Sequence, residues 1–399
     1  MNFYREMLTY LGGHAANETI RSIYAFPTTV FSHSENLKAV IDGINKLDWH
    51  SVTMDSMGEI YEGLLSKNSQ DSRSGAGQYF TPRPLVDCIV KLIQPGLGEV
   101  IQDPATGTGG FLISADQYIR TNVRAQEYNA KSPRYEGVEI EKGTYRICLM
   151  NAFLHRLESQ IILGDALTKD AERLSPADVI LANPPFGAKA GSARKQREDI
   201  YFGATNKQLA FLQHIYLSLK RGGRAAVILP DSVLFEDGVA KTIRQDLMNR
   251  CDLHTILRLP TGIFYSPGVK TNVLFFTRGH LDTDCTKTVW VYDMRYEAPK
   301  YGKKRPLQSK DFSHFESLFG DPTKIRQASI DQARWRPFTR EEIADRSDNL
   351  NLSWHVDTEM ESSEPEEIAE AILAHLRAAL NEIEAVSDEL AELPESNNG

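Results

Sequence analysis

The sequence predicts an α/β protein with a doubly wound, mostly parallel seven-stranded sheet that is covered by helices on both faces. From Pro84 onward, segments with helical periodicity alternate with short apolar runs, and residues 225–230 (AAVILP) are strongly apolar. The composition, 41% hydrophobic and 25% charged over 399 residues, is that of an ordinary globular protein. This length suits one large core with helical additions.

The predicted elements follow the apolar periodicity along the chain. Residues 1–65 are expected to be helical, with apolar positions at helix spacing at Leu37, Val40, Ile41, Ile44 and Leu47. The Ser/Gly/Asn-rich stretch 66–77 predicts a loop between two units. Helices are then expected at 84–94, from about 110, and at 141–157, 206–220 and 238–250. Strands are expected at 99–103, 135–140, 160–163, 178–182, 225–230, 254–259 and 272–277, with a peripheral strand at 288–294.

Charge is distributed unevenly along the chain. The formal net charge is −9, but residues 356–399 hold thirteen acids and one base, so the preceding 355 residues carry a net charge of +3. This small excess is too weak to predict strong unaided binding to nucleic acid, whose affinity depends on neutralising phosphates. A partner is therefore expected.

The four cysteines are far apart and form no CxxC pair, which argues against a disulfide framework and against a zinc site. None of them follows a proline, so the chain lacks the Pro-Cys setting typical of methylation at C5 of cytosine. No apolar run is long enough to span a bilayer, and the N-terminus does not have the layout of a signal peptide. We expect a cytoplasmic protein without a metal.

A glycine-rich loop, residues 103–111 (DPATGTGGF), joins the first predicted strand to its helix. It lacks the GxxxxGK of a phosphate-binding P-loop and the GxGxxG of dinucleotide folds. An acid at the strand end would repel a pyrophosphate, but it suits a ligand with an ammonium and a sulfonium, as S-adenosylmethionine has. The cofactor-binding residues expected in this loop are Asp103, Thr106, Gly107, Thr108, Gly109 and Gly110.

Two further acids stand at the ends of the next two predicted strands. Glu139 ends the second strand, where an acid typically binds ribose hydroxyls. Asp165 follows the third strand and is expected to accept from the adenine amino group of the cofactor. A surface turn would explain the glycine loop alone, but acids at three successive strand ends favour a nucleoside ligand.

The fourth predicted strand runs into Asn183, Pro184, Pro185 and Phe186. An exocyclic amine conjugated to a ring is a poor nucleophile. Hydrogen bonds from that amine to the Asn183 side-chain oxygen and the Pro184 carbonyl would draw its nitrogen toward sp³ geometry and free the lone pair for in-line attack on a sulfonium methyl. Phe186 offers a face on which an extruded base can stack. These four residues are the candidate catalytic group.

In this order, segments 103–111 and 183–186 resemble the amino-methyltransferases of DNA. A third segment, 75–84 (GAGQYFTPRP), resembles the additional cofactor-binding segment of the modification subunits of type I restriction–modification systems, which contacts the methionine part of the cofactor. Together with 206–211, 222–231, 259–264 and 268–274, the resemblance covers roughly residues 55–300. An interdomain linker remains an alternative that fits residues 66–76 better than 77–84. The resemblance adds Gln78, Tyr79, Phe80, Thr81, Pro82 and Arg83 to the expected cofactor-binding residues.

The resemblance implies a Rossmann-like S-adenosylmethionine-dependent methyltransferase fold and methyl transfer to N6 of a flipped adenine in double-stranded DNA. In this family two modification subunits flank one specificity subunit, and a nuclease–translocase subunit can join. Little chain follows Phe186 beyond the sheet, which independently favours a separate specificity subunit. The implied organisation is a helical N-terminal segment at 1–76, a methyltransferase catalytic domain at 77–310, a connecting region at 311–355 and an acidic C-terminal helix at 356–399.

The tail carries an apolar stripe at helix spacing, formed by Ile368, Ile372, Leu376, Leu380, Ile383, Val386, Leu390 and Leu393. A helix that folds back onto its own domain would show the same stripe. Because the other faces of this helix are almost wholly acidic, we favour contact with a helix of another subunit.

Two groups of basic residues are expected in loops: Lys189, Arg194, Lys195 and Arg197, and Lys300, Lys303, Lys304 and Arg305. Contact with DNA phosphates and simple solvation at the surface explain either group equally well.

Members of the family usually carry a longer helical N-terminal segment, and we expect the segment here to be incomplete. Two other functions remain open: a non-catalytic assembly subunit, and an amino-methyltransferase of RNA bases or protein glutamine, since the latter also use Asn-Pro-Pro-aromatic.

Overall fold

A nine-stranded sheet lies at the centre of the part of the chain that the structure describes, in the order β3-β2-β1-β4-β5-β7-β6-β8-β9. The computed structural model describes residues 1–25, 27–46, 54–70, 81–186, 197, 199–200, 202–203, 206–264, 270–302, 304–319 and 333–355. The strands are β1 (Val100–Asp103), β2 (Arg134–Glu139), β3 (Ser159–Leu163), β4 (Ala177–Ala182), β5 (Leu219–Pro230), β6 (Cys251–Leu259), β7 (Thr271–Arg278), β8 (Thr288–Asp293) and β9 (Trp335–Thr339). The predicted fold class is confirmed. The expected peripheral strand is β8, and β9 extends the sheet by one strand that the sequence did not predict.

Strand order reverses at β1. The first five strands are parallel, and β1 pairs with β2 on one side and with β4 on the other. A short connection joins β6 to β7, so β7 returns antiparallel between β5 and β6. In open α/β sheets, ligands bind beyond the carboxyl ends of the strands at such a reversal. We refer to this side of the sheet as the carboxyl edge.

Helices cover both faces of the sheet. One face packs against α5 (Arg83–Ile93), α6 (Gly110–Asn122) and α8 (Lys142–Leu154), and the other against α9 (Lys207–Ser218) and α11 (Val239–Arg250). Successive residues of β4 alternate between the two cores, with Val179 and Leu181 in one and Ile180 and Ala182 in the other. These strands read as continuous apolar runs because both of their faces are buried. Two short helices, α7 (Ala125–Ala130) and α10 (Asp231–Phe235), were not predicted.

Four of the described helices lie before residue 71, in agreement with the helices predicted for residues 1–65: α1 (Asn2–His14), α2 (Glu18–Ile23), α3 (Ser34–Asn45) and α4 (Met54–Gln70). Since α4 runs to Gln70, the loop expected from residue 66 is wrong for residues 66–70, and residues 71–77 lie outside the described part. The helix expected from the apolar spacing forms, but only Leu37 of that face is buried, whereas Val40, Ile41 and Ile44 are exposed and Leu47 is not described. No helix among the described residues is long and apolar enough to cross a membrane.

The N-terminal helices attach to the main body through α8. The Arg146 side chain donates to the carbonyl of Ile23 at 2.6 Å. A Cβ on Gly58 would lie 2.7 Å from the His155 ring, so α4 approaches the end of α8 closely. A glycine at this position permits the close packing.

Residues 311–355, for which we expected a connecting region, contain secondary structure that belongs to the core. They include α12 (Ser313–Phe319), β9 and α13 (Arg340–Asp345). Trp335 is fully buried and stacks on Trp290 of β8, with ring centroids 5.2 Å apart. This region therefore completes one end of the sheet.

Two ion pairs, one buried and one partly buried, hold the carboxyl edge of the second half of the sheet. Arg258 of β6 bonds Asp293 of β8 at 2.6 Å, with both side chains at most 4% exposed. Arg295 binds both carboxylate oxygens of Asp231, at 2.8 and 2.6 Å, and Asn272 donates to the same carboxylate at 2.7 Å. Arg295 and its hydrogen bonds lower the pKa of Asp231 even though burial opposes this. These ion pairs fix the strand ends, because removal of either partner would lower the free energy of unfolding.

The pair Arg258–Asp293 gives a stability prediction. Arg258→Ala would leave the Asp293 carboxylate buried without its cation, which should lower the free energy of unfolding by about 3–5 kcal/mol. Arg221→Ala is the matched control, because Arg221 pairs with Asp282 at a half-exposed site where water screens the pair, so the loss should be far smaller. Urea unfolding of the isolated chain measures both values, and equal losses would contradict the assignment.

Candidate active site

The reversal of strand order brings the first and fourth strand ends next to each other. In the register of β1 with β4, Ile101 pairs with Val179 and Gln102 with Ile180. Asp103, the last residue of β1, therefore lies beside the end of β4, and Asn183 directly follows that strand. The candidate cofactor loop and the Asn-Pro-Pro-Phe segment consequently share one part of the carboxyl edge.

Asp103 is 1% exposed at the end of β1. Its side chain accepts a hydrogen bond from the backbone N–H of Ala105 at 3.0 Å. Burial raises the pKa of Asp103 to about 8, the Ala105 bond opposes this rise, and the nearby charge of Glu139 adds to it. A carboxyl group held in this way is poised to bind a cation, because a cation would restore its ionised form.

The glycine loop is held by backbone contacts on both sides. Gly107 and Gly109 have φ values of 56° and 83°, a left-handed conformation that side-chain-bearing residues rarely adopt. Asn151 of α8 donates to the carbonyl of Thr108 at 2.9 Å. Thr106 donates from its hydroxyl to the carbonyl of Asp103 at 2.8 Å. The loop is therefore fixed before any ligand binds.

Glu139 ties the second strand to this loop. One carboxylate oxygen accepts from the N–H of Gly107 at 2.9 Å and the other from the N–H of Glu141 at 2.8 Å. Burial raises the pKa of Glu139, while these two backbone bonds lower it. The neighbouring Gly137 leaves room for the loop, since a Cβ there would lie 2.3 Å from the Thr106 hydroxyl.

Asp165 follows β3 in a half-buried position. Its Oδ1 accepts from the N–H of Leu167 at 2.9 Å, and Oδ2 accepts no hydrogen bond from the residues that the structure describes. The turn that carries it is closed because Thr168 donates to the Asp165 carbonyl at 2.9 Å. Asp165 therefore has one carboxylate oxygen available at the third strand end.

Asn183 has an oriented side chain. Its Nδ2 donates to the hydroxyl of Thr81 at 3.1 Å. Its Oδ1 is buried and has no hydrogen-bond partner among the described residues. Pro184 is buried, Pro185 is exposed, and Phe186 is half-buried against the same core as Phe264. An orphaned buried oxygen is costly unless a ligand satisfies it.

Of the segment 78–83, Gln78, Tyr79 and Phe80 lie outside the described residues. Thr81 contacts Asn183, and Pro82 is the residue that precedes α5. Arg83 pairs with Glu62 at 2.9 Å and with Asp87 at 3.0 Å, and it also bonds Gln117. The guanidinium of Arg83 thus connects α4, α5 and α6, and its described contacts include none with the glycine loop.

Three contributors were not predicted from the sequence. Asn151 supports the loop carbonyl, and its only sequence signal is a polar residue inside an apolar helix. Cys148 lies under Gly109, 3.1 Å from where a Cβ would be. Burial raises the pKa of Tyr61, on α4, to about 12, with Cys148 and Tyr24 as neighbouring groups.

The sheet order, the carboxylates at three successive strand ends and the Asn-Pro exit from the fourth strand define a class of protein. They are the arrangement of a methyltransferase that acts on an amino nitrogen. Among the described residues, no group of three His, Cys, Asp or Glu side chains is placed to hold a metal ion.

Comparisons with known proteins agree with this class. The N-6 DNA Methylase family matches residues 52–364. The methylase subunit of the type I restriction enzyme StySPI from Salmonella potsdam is 39% identical over 98% of this chain and 83% of its own length. The corresponding EcoKI subunit from Escherichia coli K12 is 39% identical over 100% of this chain and 84% of its own. The crystal structure of the EcoKI M protein has a TM-score of 0.64 at 36% identity, covering 99% of this chain and 84% of that one.

The chain therefore belongs to the N-6 DNA methylase family and, within it, to the methylase subunits of type I restriction enzymes. These are adenine-specific DNA methyltransferases. The recognition and the enzyme class predicted from the sequence are confirmed.

The raised pKa of Asp103 predicts a pH dependence of stability. An unfolded aspartate titrates near pH ~3.9, whereas folded Asp103 holds its proton up to about pH 8. The folded chain therefore binds a proton that the unfolded chain releases, and the free energy of unfolding falls as the pH rises through this window.

Asp103→Asn removes that titration. In the ligand-free chain the variant should be more stable than the parent above about pH 8, on the order of a few kcal/mol, and close to it near pH ~4. Urea unfolding of both chains across this range measures the difference. A difference that does not change with pH would show that Asp103 is ionised in the free protein.

Proposed function

We propose that this chain transfers a methyl group from S-adenosylmethionine to the exocyclic N6 of an adenine flipped out of double-stranded DNA, and that a separate specificity subunit selects the sequence. The observation that carries this proposal is the buried Asn183 Oδ1, which has no partner among the described residues. Asn183 directly follows β4, the strand that pairs with β1, which ends in Asp103. A buried acceptor without a hydrogen-bond partner among the described residues suits the N–H of an incoming amine.

The strand-end residues fit S-adenosylmethionine. Asp103 would bind the ammonium and sulfonium end, and Glu139 the ribose hydroxyls through the lone pairs that its two backbone bonds leave free. Asp165 would accept from the adenine amino group through its available Oδ2. Thr106, Gly107, Thr108, Gly109 and Gly110 would bring backbone close to the ligand. When bound, this cofactor supplies an electrophilic methyl on a positively charged sulfur.

Two acceptors would activate the target amine. The Asn183 Oδ1 and the Pro184 carbonyl would each take one N–H of the adenine amine, which draws the nitrogen toward sp³ geometry and frees its lone pair. With its lone pair free, N6 would be positioned to accept the methyl group that the bound cofactor supplies. Asn183 and Pro184 would hold the amine hydrogens, one of which would leave as a proton to solvent. Rate enhancement by this route depends on positioning and on oriented dipoles.

Thr81 would keep Asn183 in the productive orientation. Because Nδ2 donates to the Thr81 hydroxyl, Oδ1 must face the other way. Thr81 would therefore position the reacting amine indirectly, through Asn183. This role would be additional to its expected contact with the cofactor. Phe186 would stack on the flipped adenine, offsetting an unstacking cost of a few kcal/mol.

The chain would act within a complex. The body carries a net charge of only +3 outside the acidic tail 356–399, so tight DNA binding needs further positive charge from elsewhere. The relatives are named as methylase subunits of type I restriction enzymes. We propose a specificity subunit as partner, a second copy of this chain in the same complex, and a nuclease–translocase subunit that can join. The tail, which lies outside the described residues, would supply the contact with the specificity subunit.

Methyl transfer is the direct test of this function. The chain is mixed with its specificity subunit, methyl-labelled S-adenosylmethionine and unmethylated target duplex, and the DNA is digested to nucleosides. Label is expected in N6-methyladenine. Label in cytosine, in protein or in RNA would overturn the proposal.

Asn183→Ala should abolish methyl transfer, by a factor of about 100 or more, because one of the two acceptors for the amine is lost. Cofactor affinity by calorimetry should stay nearly unchanged. Thr81→Val should lower kcat less severely, and Thr81→Ser, which keeps the hydroxyl, should restore most of it. If Asn183→Ala loses cofactor binding instead, Asn183 belongs to the cofactor site.

Deletion of residues 356–399 should abolish co-purification with the specificity subunit, because the apolar stripe of the tail is removed. Cofactor affinity of the truncated chain should match that of the full chain, since none of the candidate cofactor residues lies in the tail. Unchanged co-purification would show that the specificity subunit binds elsewhere.

A further inference from the structure

A basic pocket is formed by the chain segment that connects β8 to α12. It is a cavity of about 230 Å³ lined by Lys304, Arg305, Pro306, Gln308, Lys310 and Asp311. The backbone around it is folded back on itself, because Gly302 and Arg305 exchange two N–H···O=C bonds of 3.1 Å. These two bonds fix the start of the segment that lines the pocket.

The cations of this pocket are available to a ligand. Lys304, Arg305 and Lys310 are exposed and form no ion pair with any residue that the structure describes. The single acid of the pocket, Asp311, accepts from the N–H of Gln308 at 2.9 Å. With three cations and one carboxylate, the lining carries a net charge of +2, which favours an anionic ligand.

The position of the pocket relates it to the carboxyl edge. The Tyr301 carbonyl lies 2.3 Å from where a Cβ on Gly262 would be, so the chain leading into the pocket touches the turn after β6. Tyr301, Phe264 and Phe186 are all half-buried against the same core. The segment that leads into the pocket therefore reaches the carboxyl edge of the sheet at the end of β6.

We propose that the basic pocket binds backbone phosphates of the DNA near the flipped adenine. The inference rests on the proposed function and adds the surface that holds the duplex against the site. Phosphate contacts of this kind set the register of the duplex on the protein but read no bases, which agrees with sequence choice made elsewhere. Residues 1–355 carry a net charge of only +3, so DNA binding depends on where the cations lie more than on the total net charge.

A pair of double variants tests the proposal. Lys304→Ala with Lys310→Ala removes two charges from the pocket. Lys131→Ala with Lys287→Ala removes two exposed charges just before β2 and β8, at the opposite edge of the sheet, so net charge is matched. Each protein is assembled with the specificity subunit. Duplex affinity is then measured by fluorescence anisotropy between about 50 and 200 mM salt.

Loss of two phosphate contacts should weaken binding and reduce the salt slope by about 2. Over this salt range the affinity of the parent should thus fall about tenfold more than that of the pocket variant. The matched control should retain the slope of the parent. An unchanged slope in the pocket variant overturns the proposal, as does an equal change in the control.

Two further readouts separate this inference from the proposed function. At low salt and saturating DNA, the pocket variant should methylate adenine at the rate of the parent and bind cofactor equally well. Failure of the parent itself to methylate would refute the function, whatever the pocket does. If the variant loses assembly with the specificity subunit while DNA affinity is kept, the pocket binds an acidic protein surface and the proposal is wrong.

Discussion

The reversal of strand order at β1 is the constraint on which the rest of the molecule depends. Because β2 and β4 pair on opposite sides of β1, the chain that leaves β1 and the chain that leaves β4 diverge over a common crevice. The bond from Gly107 to Glu139 closes one side of that crevice, and the bond from Asn183 to Thr81 closes the other. Each is a single contact, yet together they set where a cofactor and an amine can meet.

The two halves of the carboxyl edge treat charge differently. Around β1 and β2, Asp103 and Glu139 are buried without a cation among the described residues, so burial raises the pKa of both. Around β5, β6 and β8, the buried Asp293 and the partly buried Asp231 each have an arginine within 3 Å. A buried acid without a cation destabilises the fold, and such acids are typical of sites that bind a charged ligand. An acid in an ion pair instead holds two segments of the backbone together. The strand ends of β5, β6 and β8 are thus held by ion pairs, whereas those of β1 and β2 leave acids available to a ligand.

The sheet was largely predictable because both of its faces are buried, which makes strands such as residues 178–182 and 225–230 continuous apolar runs. Strand β9 escaped prediction since it is short, lies at the edge and contains Pro337, which has no N–H to donate. The acids at the strand ends could be predicted from chain order alone. The contact of Thr81 with Asn183 could not, because it joins residues 102 positions apart whose approach depends on how α5 packs.

The orientation of Asn183 has a consequence for turnover under the proposed function. Two acceptors, Oδ1 of Asn183 and the Pro184 carbonyl, match the two hydrogens of an unmodified amine. A monomethylated amine keeps only one hydrogen, so it leaves one buried acceptor unsatisfied, at a cost of about 1–3 kcal/mol. The product is therefore held less tightly than the substrate, and a second transfer to the same nitrogen begins without the geometry that enabled the first. Under the proposed function, a single fixed amide would thus influence both the release of the methylated base and the number of methyl groups added to it.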